Sequence, residues 1–367
     1  MKQRKNIRKA VSLPVFLLCA AVLLSLAPGA LAEKQIPSLD LFQAEDLDLP
    51  ELSGAKRITA ENGKEITISN AGVYVLGGTA SQCTVTVDAG KKDMVWLVLD
   101  GLNITNTSDL SCIYVKKAQK VIITLVSENS LTQNAAGGKQ RAVIHAKSDL
   151  TLNGEGSLSI SSLSDGIVSK ENLFITGGNC QIVAQTNALE ADESVAINNG
   201  NLYLEGKDGI HVENDDSPYL GNTYIGGGNI VIHAKSDGIQ TQTILQINDG
   251  DVTVEAEEGF EGTLIIINGG TIRIHSWGDG INTGNKTKAY FPALEINGGH
   301  ITINMDPVEK ADGIDSNGDL IIRGGVLEIY GSGVDFDAHH SFTGGTIFID
   351  GVQVDKITNQ SHHHIER

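Results

Sequence analysis

Residues 237–257 read Asp-Gly-Ile-Gln-Thr-Gln-Thr-Ile-Leu-Gln-Ile-Asn-Asp-Gly-Asp-Val-Thr-Val-Glu-Ala-Glu, and at Glu258-Gly-Phe the same pattern starts over. The pattern is Asp-Gly-Ile, a short gap, apolar-x-apolar-x-Gly-Gly, then x-apolar-x-apolar. Its acid-Gly dipeptide or a stand-in begins at Asp165, Asn187, Asp208, Asp237, Glu258, Asp279, Asp312 and Ser332, so successive gaps are 22, 21, 29, 21, 21, 33 and 20 residues. A unit of about 21 residues that returns at a fixed step is a solenoid coil, and the longer gaps are coils carrying insertions.

Paired glycines at Gly177-Gly178, Gly227-Gly228, Gly269-Gly270, Gly298-Gly299, Gly324-Gly325 and Gly344-Gly345 keep the same step. After them apolar residues alternate, as in Ile230 and Ile232, Val252 and Val254, and Ile272 and Ile274. Period two means short strands with one face buried. Together these features predict an all-β fold, a parallel β-helix of ~21-residue coils stacked at the ~4.8 Å strand spacing. A propeller blade needs about twice this repeat, and a leucine-rich repeat has its own Leu and Asn spacing.

Working outward, Ile66 and Ile68, Val85 and Val87, Val121 and Ile123 extend the alternation upstream, which places the β-helix at residues 57–355. Residues 1–32 are expected to be a secretory signal peptide: Lys2, Arg4, Lys5, Arg8 and Lys9 precede an apolar run, and Ala30-Leu31-Ala32 suits a signal peptidase. Residues 33–56, with Asp40, Glu45, Asp46, Asp48 and Glu51, are expected to be a solvated lead-in or N-terminal cap, and residues 356–367, with His362–His364, a tail.

The chain carries 27 basic and 45 acidic residues; losing the five basic residues of the leader leaves 22 against 45, a net of −23. That charge disfavours nucleic acid. No second apolar stretch of ~20 residues follows the leader, so no membrane span is expected in the mature protein. A secreted, extracellular or cell-surface protein and a monomer are the expectations. Cys83, Cys112 and Cys180 remain, an odd number that argues against a disulfide framework; Cys180 sits where other coils place Val or Ile and is expected to be core.

Stacking would bring Asp165, Asp208, Asp237, Glu258, Asp279 and Asp312 to one corner of successive coils, with Glu261 beside Glu258. Each Asp-Gly taken alone is also good turn chemistry. A line of carboxylates is nonetheless tolerable mainly when solvated, hydrogen-bonded or bridged by a hard cation, and Ca2+ is the extracellular candidate. Insertions follow this corner at residues 211–222 and 282–292, three coil steps or roughly 14 Å apart. They are expected to wall a groove floored by acids. Tyr219, Tyr224, Trp277, Tyr290 and Phe291 fall in or beside it, faces on which sugar rings stack; Phe260 is expected in the core.

The run from Asp165 to Gly333, with Asp208-Gly-Ile-His-Val-Glu-Asn-Asp, Glu258-Gly-Phe-Glu-Gly and Ile296-Asn-Gly-Gly, resembles secreted clostridial carbohydrate-binding β-helix proteins of polysaccharide-lyase-like shape. The resemblance implies a single-stranded right-handed parallel β-helix, bound calcium, and affinity for cellulose and pectic polygalacturonate. It marks Asp208, Glu258, Glu261 and Asp279 as calcium ligands. A non-catalytic binder of plant cell-wall polysaccharide is therefore the first expectation.

The alternative is a calcium-dependent pectate lyase, in which calcium acidifies a uronide proton and a Lys or Arg removes it. Lys235 is the candidate base, with Lys207, Lys286 and Lys288 nearby in sequence.

Overall fold

In the computed structural model, which describes residues 41–135, 142–307 and 311–359, each repeat contributes three strands. In the repeat quoted first these are Asp237–Thr241, Ile244–Ile247 and Asp251–Ala256. Each pairs in parallel with the equivalent strand of the coils before and after: Ile239 lies opposite Ile210 and Phe260, and Val252 lies opposite Ile230 and Ile272. The first strands of the coils form a 12-stranded sheet and the other two kinds belong to a 24-stranded one. The fold is all-β, with one helical turn, Ala44–Leu47, among the described residues. Residues 1–40 and 360–367, and with them the expected signal peptide and the His362–His364 tail, lie outside those described.

The in-register pairing turns the alternation into continuous columns. Ile210, Ile239, Phe260, Ile281 and Ile314 form one, all fully buried. Cys180 stands between Leu158 and Leu202 in another and is 3 % exposed; burial pushes its thiol up to about 12, so it packs as filler. Each buried Ile or Leu contributes roughly 1.5–3 kcal/mol.

At Asp165, Asp208, Asp237 and Glu258 the acid-Gly dipeptide opens a strand, and at Asp279 and Asp312 it stands just before one. A Cβ on Gly238 would sit 2.3 Å from Val254 Cγ1 and 2.5 Å from the Gly259 carbonyl of the next coil. Close approach of stacked backbones is what excludes a side chain there. The paired glycines work differently: Gly270, with φ +85°, adopts the left-handed conformation that reverses the chain between strands.

The lead-in departs from the solvated segment expected. Asp46 is fully buried against the outer face of the large sheet, its carboxylate 2.8 Å from Lys120 Nζ and hydrogen-bonded by Thr151. Phe42 packs edge-on against Phe174 and Tyr224, with ring centroids at 5.9 and 6.2 Å. The segment's acids and aromatics fit a strip of sheet whose residues are distant in sequence. Tyr224 is therefore covered here, and does not line the expected groove. At the other end, Thr346–Ile349 pairs with Val352–Val354 in antiparallel fashion, where every other pairing among the described residues is parallel.

Candidate metal centre

The 12-stranded sheet carries two ladders of mostly polar residues, the first of them largely buried. The first runs Asp165, Asn187, Asp208 and then Asp237, Glu258; the second, three residues later on each strand, runs Glu190, His211, Gln240, Glu261, Asn282, Asp315, Asp335. Between the two, the Gly-Ile pair sinks into the core. The three-residue step is what brings Glu261 beside Glu258.

Asp237, Glu258 and Glu261 converge: each offers an oxygen, and these oxygens lie within 4.8 Å of one another. Burial, then the charges of Asp208 and Glu261, push Asp237 up to about 6. Burial, then the charge of Glu261, push Glu258 up to about 7, against an opposing hydrogen bond from Asn282 Nδ2 at 3.1 Å. Lys286, from the second insertion, places Nζ 2.5 Å from Glu261 Oε1. Three half-desolvated carboxylates, with Lys286 on Glu261 and Lys207 acting on Asp237 from beside Asp208, are short of positive charge, which is the condition a divalent cation relieves.

The other expected ligands do different work. Asp208 is 1 % exposed and committed to protein partners: Lys207 Nζ at 3.1 Å, His211 Nδ1 at 3.2 Å and the Asp237 amide at 3.2 Å. Burial alone would raise it, but His211, the amide and Lys207 outweigh burial and hold it below the usual carboxylate range. Asp279 accepts the backbone N–H of Asp312 at 2.8 Å, which partly offsets the upward push of burial. Neither it nor Asp312 belongs to the convergent trio. The expected single line of calcium ligands thus resolves into one cluster flanked by acids that accept amides from the next coil.

Asp315 is a functional candidate that the sequence reading passed over. Burial, then the charges of Asp279, Asp335 and Asp312, push it up to about 6. The signal was present: Asp315 follows Asp312 by three residues, as Glu261 follows Glu258.

The insertions correct a second expectation. Asp208 opens its strand and Asp279 stands two residues before its own, while the insertions leave from the far ends, after Val212 and Thr283. There the two meet instead of standing apart as walls. Thr287 Oγ1 donates to the Pro218 carbonyl at 2.7 Å, and the Tyr219 and Tyr290 rings lie perpendicular with centroids 6.4 Å apart. Tyr290 packs on Ile244, Leu264, Ile266 and Ala293, whereas Tyr219 and Phe291 are 64 % and 59 % exposed. Lys286 ties this lobe to the cluster through Glu261. Trp277 is half-buried, two residues before Asp279 at the opposite end of the strands. Lys235 is exposed, and Phe260 is fully buried as expected.

The model of a family described as carbohydrate-binding domain-containing protein matches residues 62–264 and 257–361. A curated relative of the same description from Acetivibrio thermocellus is 37% identical over 131 residues, 33% of this chain and 46% of the relative, so the match spans about half of that protein's length. A solved polysaccharide lyase-like protein from C. thermocellum, a gadolinium derivative, is similar in structure with a TM-score of 0.50 and 30% identity, over 62% of this chain and 96% of that one. With its repeats, its two parallel sheets and its acidic cluster inside the matched span, the chain belongs to the carbohydrate-binding domain-containing protein family.

Proposed function

We propose that the protein is a secreted, non-catalytic binder of acidic plant cell-wall polysaccharide, pectate in the first instance, which it grips through Ca2+ held by Asp237, Glu258 and Glu261. The observation that carries this reading is the convergence of those three carboxylates, two of them pushed up to about 6 and about 7 by burial and by one another. Hard oxygen ligands in a flexible arrangement suit calcium. The gadolinium derivative of the similar polysaccharide lyase-like structure lends support, since gadolinium is likewise a hard, oxygen-seeking cation.

A chain with 18 more negative than positive formal charges repels a polyuronide. Bound calcium supplies positive charge that bridges protein carboxylate to sugar carboxylate. This chain's own residues do the rest. Phe260 anchors the strand between Glu258 and Glu261, Asn282 orients Glu258, and Lys286 joins the cluster to the lobe on which Tyr219 and Phe291 offer stacking faces. In this reading the fold is a right-handed parallel β-helix, exported by the leader at residues 1–32.

The test is a metal count on purified protein together with pull-down on insoluble pectate, with and without chelator, for wild type and Glu258→Gln. Equal retention on pectate in all arms refutes the bridge. The lyase alternative draws on one observation, that a lysine does reach the acids; it is Lys286, not Lys235. Appearance of unsaturated uronide absorbance on incubation with polygalacturonate, lost in Lys286→Ala, would establish it.

A further inference from the structure

Six neighbouring strands, Thr84–Asp88, Ile113–Lys117, Ala142–Ala146, Asp165–Ser169, Asn187–Ala191 and Asp208–Val212, end along one corner of the stack, and the charge of that corner reverses at its middle. The first three strands end at or run into Lys91 and Lys92, Lys116 and Lys117, and Lys147. The last three run into Lys170 and Glu171, Asp192 and Glu193, and Glu213, Asp215 and Asp216. Residues 84–148 hold eight basic and five acidic residues in a chain that is acidic as a whole, whereas residues 171–216 hold one basic and nine acidic.

Some of these lysines are answered within the chain. Lys116 lies 2.6 Å from Asp88, and Lys170 lies 3.0 and 3.4 Å from Asp192 and Glu190. Lys91, Lys92, Lys117 and Lys147 are exposed, and among the described residues no ion pair engages them; Lys147 stands 5.8 Å from the centroid of the Tyr114 ring. The other half of the corner is short of cations. Burial, then the charges of Asp149 and Glu193, push the Glu171 carboxyl up. Burial also pushes Glu193 up, joined by the charges of Asp149 and Asp192 and opposed by a hydrogen bond from Asn172. Asp215 and Asp216 stand exposed on the first insertion.

We infer that this corner is the interface of a twofold-symmetric dimer, in which a second copy of the chain lies antiparallel along it. A twofold axis perpendicular to the stack, passing between Ala142–Ala146 and Asp165–Ser169, sets the first of the six strands beside the sixth of the other copy, the second beside the fifth and the third beside the fourth. Lys91 and Lys92 then face Asp215 and Asp216, Lys117 faces Glu193, and Lys147 faces Glu171. Each match is made twice, because a twofold interface is self-complementary. Parallel pairing through the same corner would set lysine against lysine and acid against acid.

One exposed ion pair contributes little, but here a register of them answers the lysines that the chain itself leaves open. Five steps of ~4.8 Å make the contact about 24 Å long, which belongs with the small, transient interfaces under ~1,200 Å². The 18 excess negative charges of the chain oppose association. At about 0.1 M salt, however, charges more than ~10 Å apart are largely screened while touching ones are not, and at higher salt the touching pairs weaken too. The pairing therefore belongs to moderate salt, and departs from the monomer expected of the sequence.

Sedimentation equilibrium of the full mature chain tests this, run in chelator so that calcium cannot bridge acids between copies. The variants are Lys91→Glu/Lys147→Glu and Glu171→Lys/Asp215→Lys, all at exposed positions, with melting temperature as the check on folding. Wild type is expected to dimerise reversibly at about 0.1 M salt and about tenfold more weakly at about 0.5 M. Each variant alone is expected to be monomeric. Their equimolar mixture is expected to form a heterodimer at least tenfold tighter than the wild-type dimer, since one copy then presents acids along the whole corner and the other lysines. A wild type that stays monomeric at high concentration and moderate salt overturns the inference, as does a dimer that survives both reversals or a mixture that fails to associate. Monomeric wild type retained on phosphocellulose, with retention lost in Lys91→Glu/Lys147→Glu, overturns it in favour of an external polyanion on the lysines.

Discussion

Calcium affinity at the trio should depend steeply on pH between 6 and 8. Asp237 titrates at about 6 and Glu258 at about 7, both raised from their usual 3.8 and 4.5. Because metal takes the deprotonated carboxylates, apparent affinity scales with the product of their ionised fractions. At pH 6 that product is about one half times one tenth, and at pH 8 it is close to one, so the calcium constant should weaken about 20-fold between them. At pH 6.5 the two groups together hold about one proton, which binding must release.

Calorimetry at pH 6.5 in two buffers of different ionisation enthalpy reads that proton directly, and direct titrations at pH 6 and 8 give the ratio. The metal-free fold has the opposite preference. Upward-shifted carboxyls stabilise it fully below their unfolded values near 4, and this contribution disappears as pH rises through 6 to 7. Thermal stability in chelator should therefore fall over that window and recover on adding calcium. A calcium constant equal at pH 6 and 8 with no proton released would show that Asp237 and Glu258 are not ligands.

Asp46→Ala should cost about 3–5 kcal/mol in urea unfolding, because Lys120 is left buried without its counter-charge; a loss under ~1 kcal/mol would mean that the lead-in detaches without consequence. Gly238→Ala should cost about 1–3 kcal/mol or more through the 2.3 Å contact with Val254, whereas Gly284→Ala, whose Cβ meets nothing within 4 Å, should stay within ~0.5 kcal/mol. Equal effects in the two would remove close coil stacking as the reason for the acid-Gly dipeptide. Tyr219→Ala should lower pectate retention severalfold while leaving the melting temperature unchanged, since its ring is 64 % exposed; unchanged retention would remove the lobe from the binding surface.

Local pattern made the repeating parallel strands legible. Strand register follows from alternation and turn glycines within ~21 residues, and the buried column Ile239, Phe260, Ile281 is where that alternation placed it. Contacts that depend on where a non-repeating segment lands were not legible. Asp46 meets Lys120 across 74 residues, and nothing in the lead-in's own composition marks one of its acids as the buried one. The two insertions join through Thr287 and Pro218, 69 residues apart, and only the strand length between acid and insertion separates a lobe from a groove. At the site, stacking grouped the right kind of residue. It did not say which carboxylates would turn toward one another and which would accept amides, because that choice rests on neighbours such as His211 and Lys207. Asp315 is the less legible acid because it stands two places after its glycine, where other repeats carry Glu, Gln, His or Asn.

The antiparallel pair at Thr346–Ile349 and Val352–Val354 has a consequence for solubility. A stack of parallel coils ends in unpaired amides and carbonyls in the right register to recruit another molecule, the beginning of a fibril. Turning Val352–Val354 back on Thr346–Ile349 gives that one column of strands a short, reversed edge that a further parallel strand cannot continue. A chain cut after Asp350 should retain its acidic cluster, bare Thr346–Ile349 as a parallel edge and become more prone to end-to-end association.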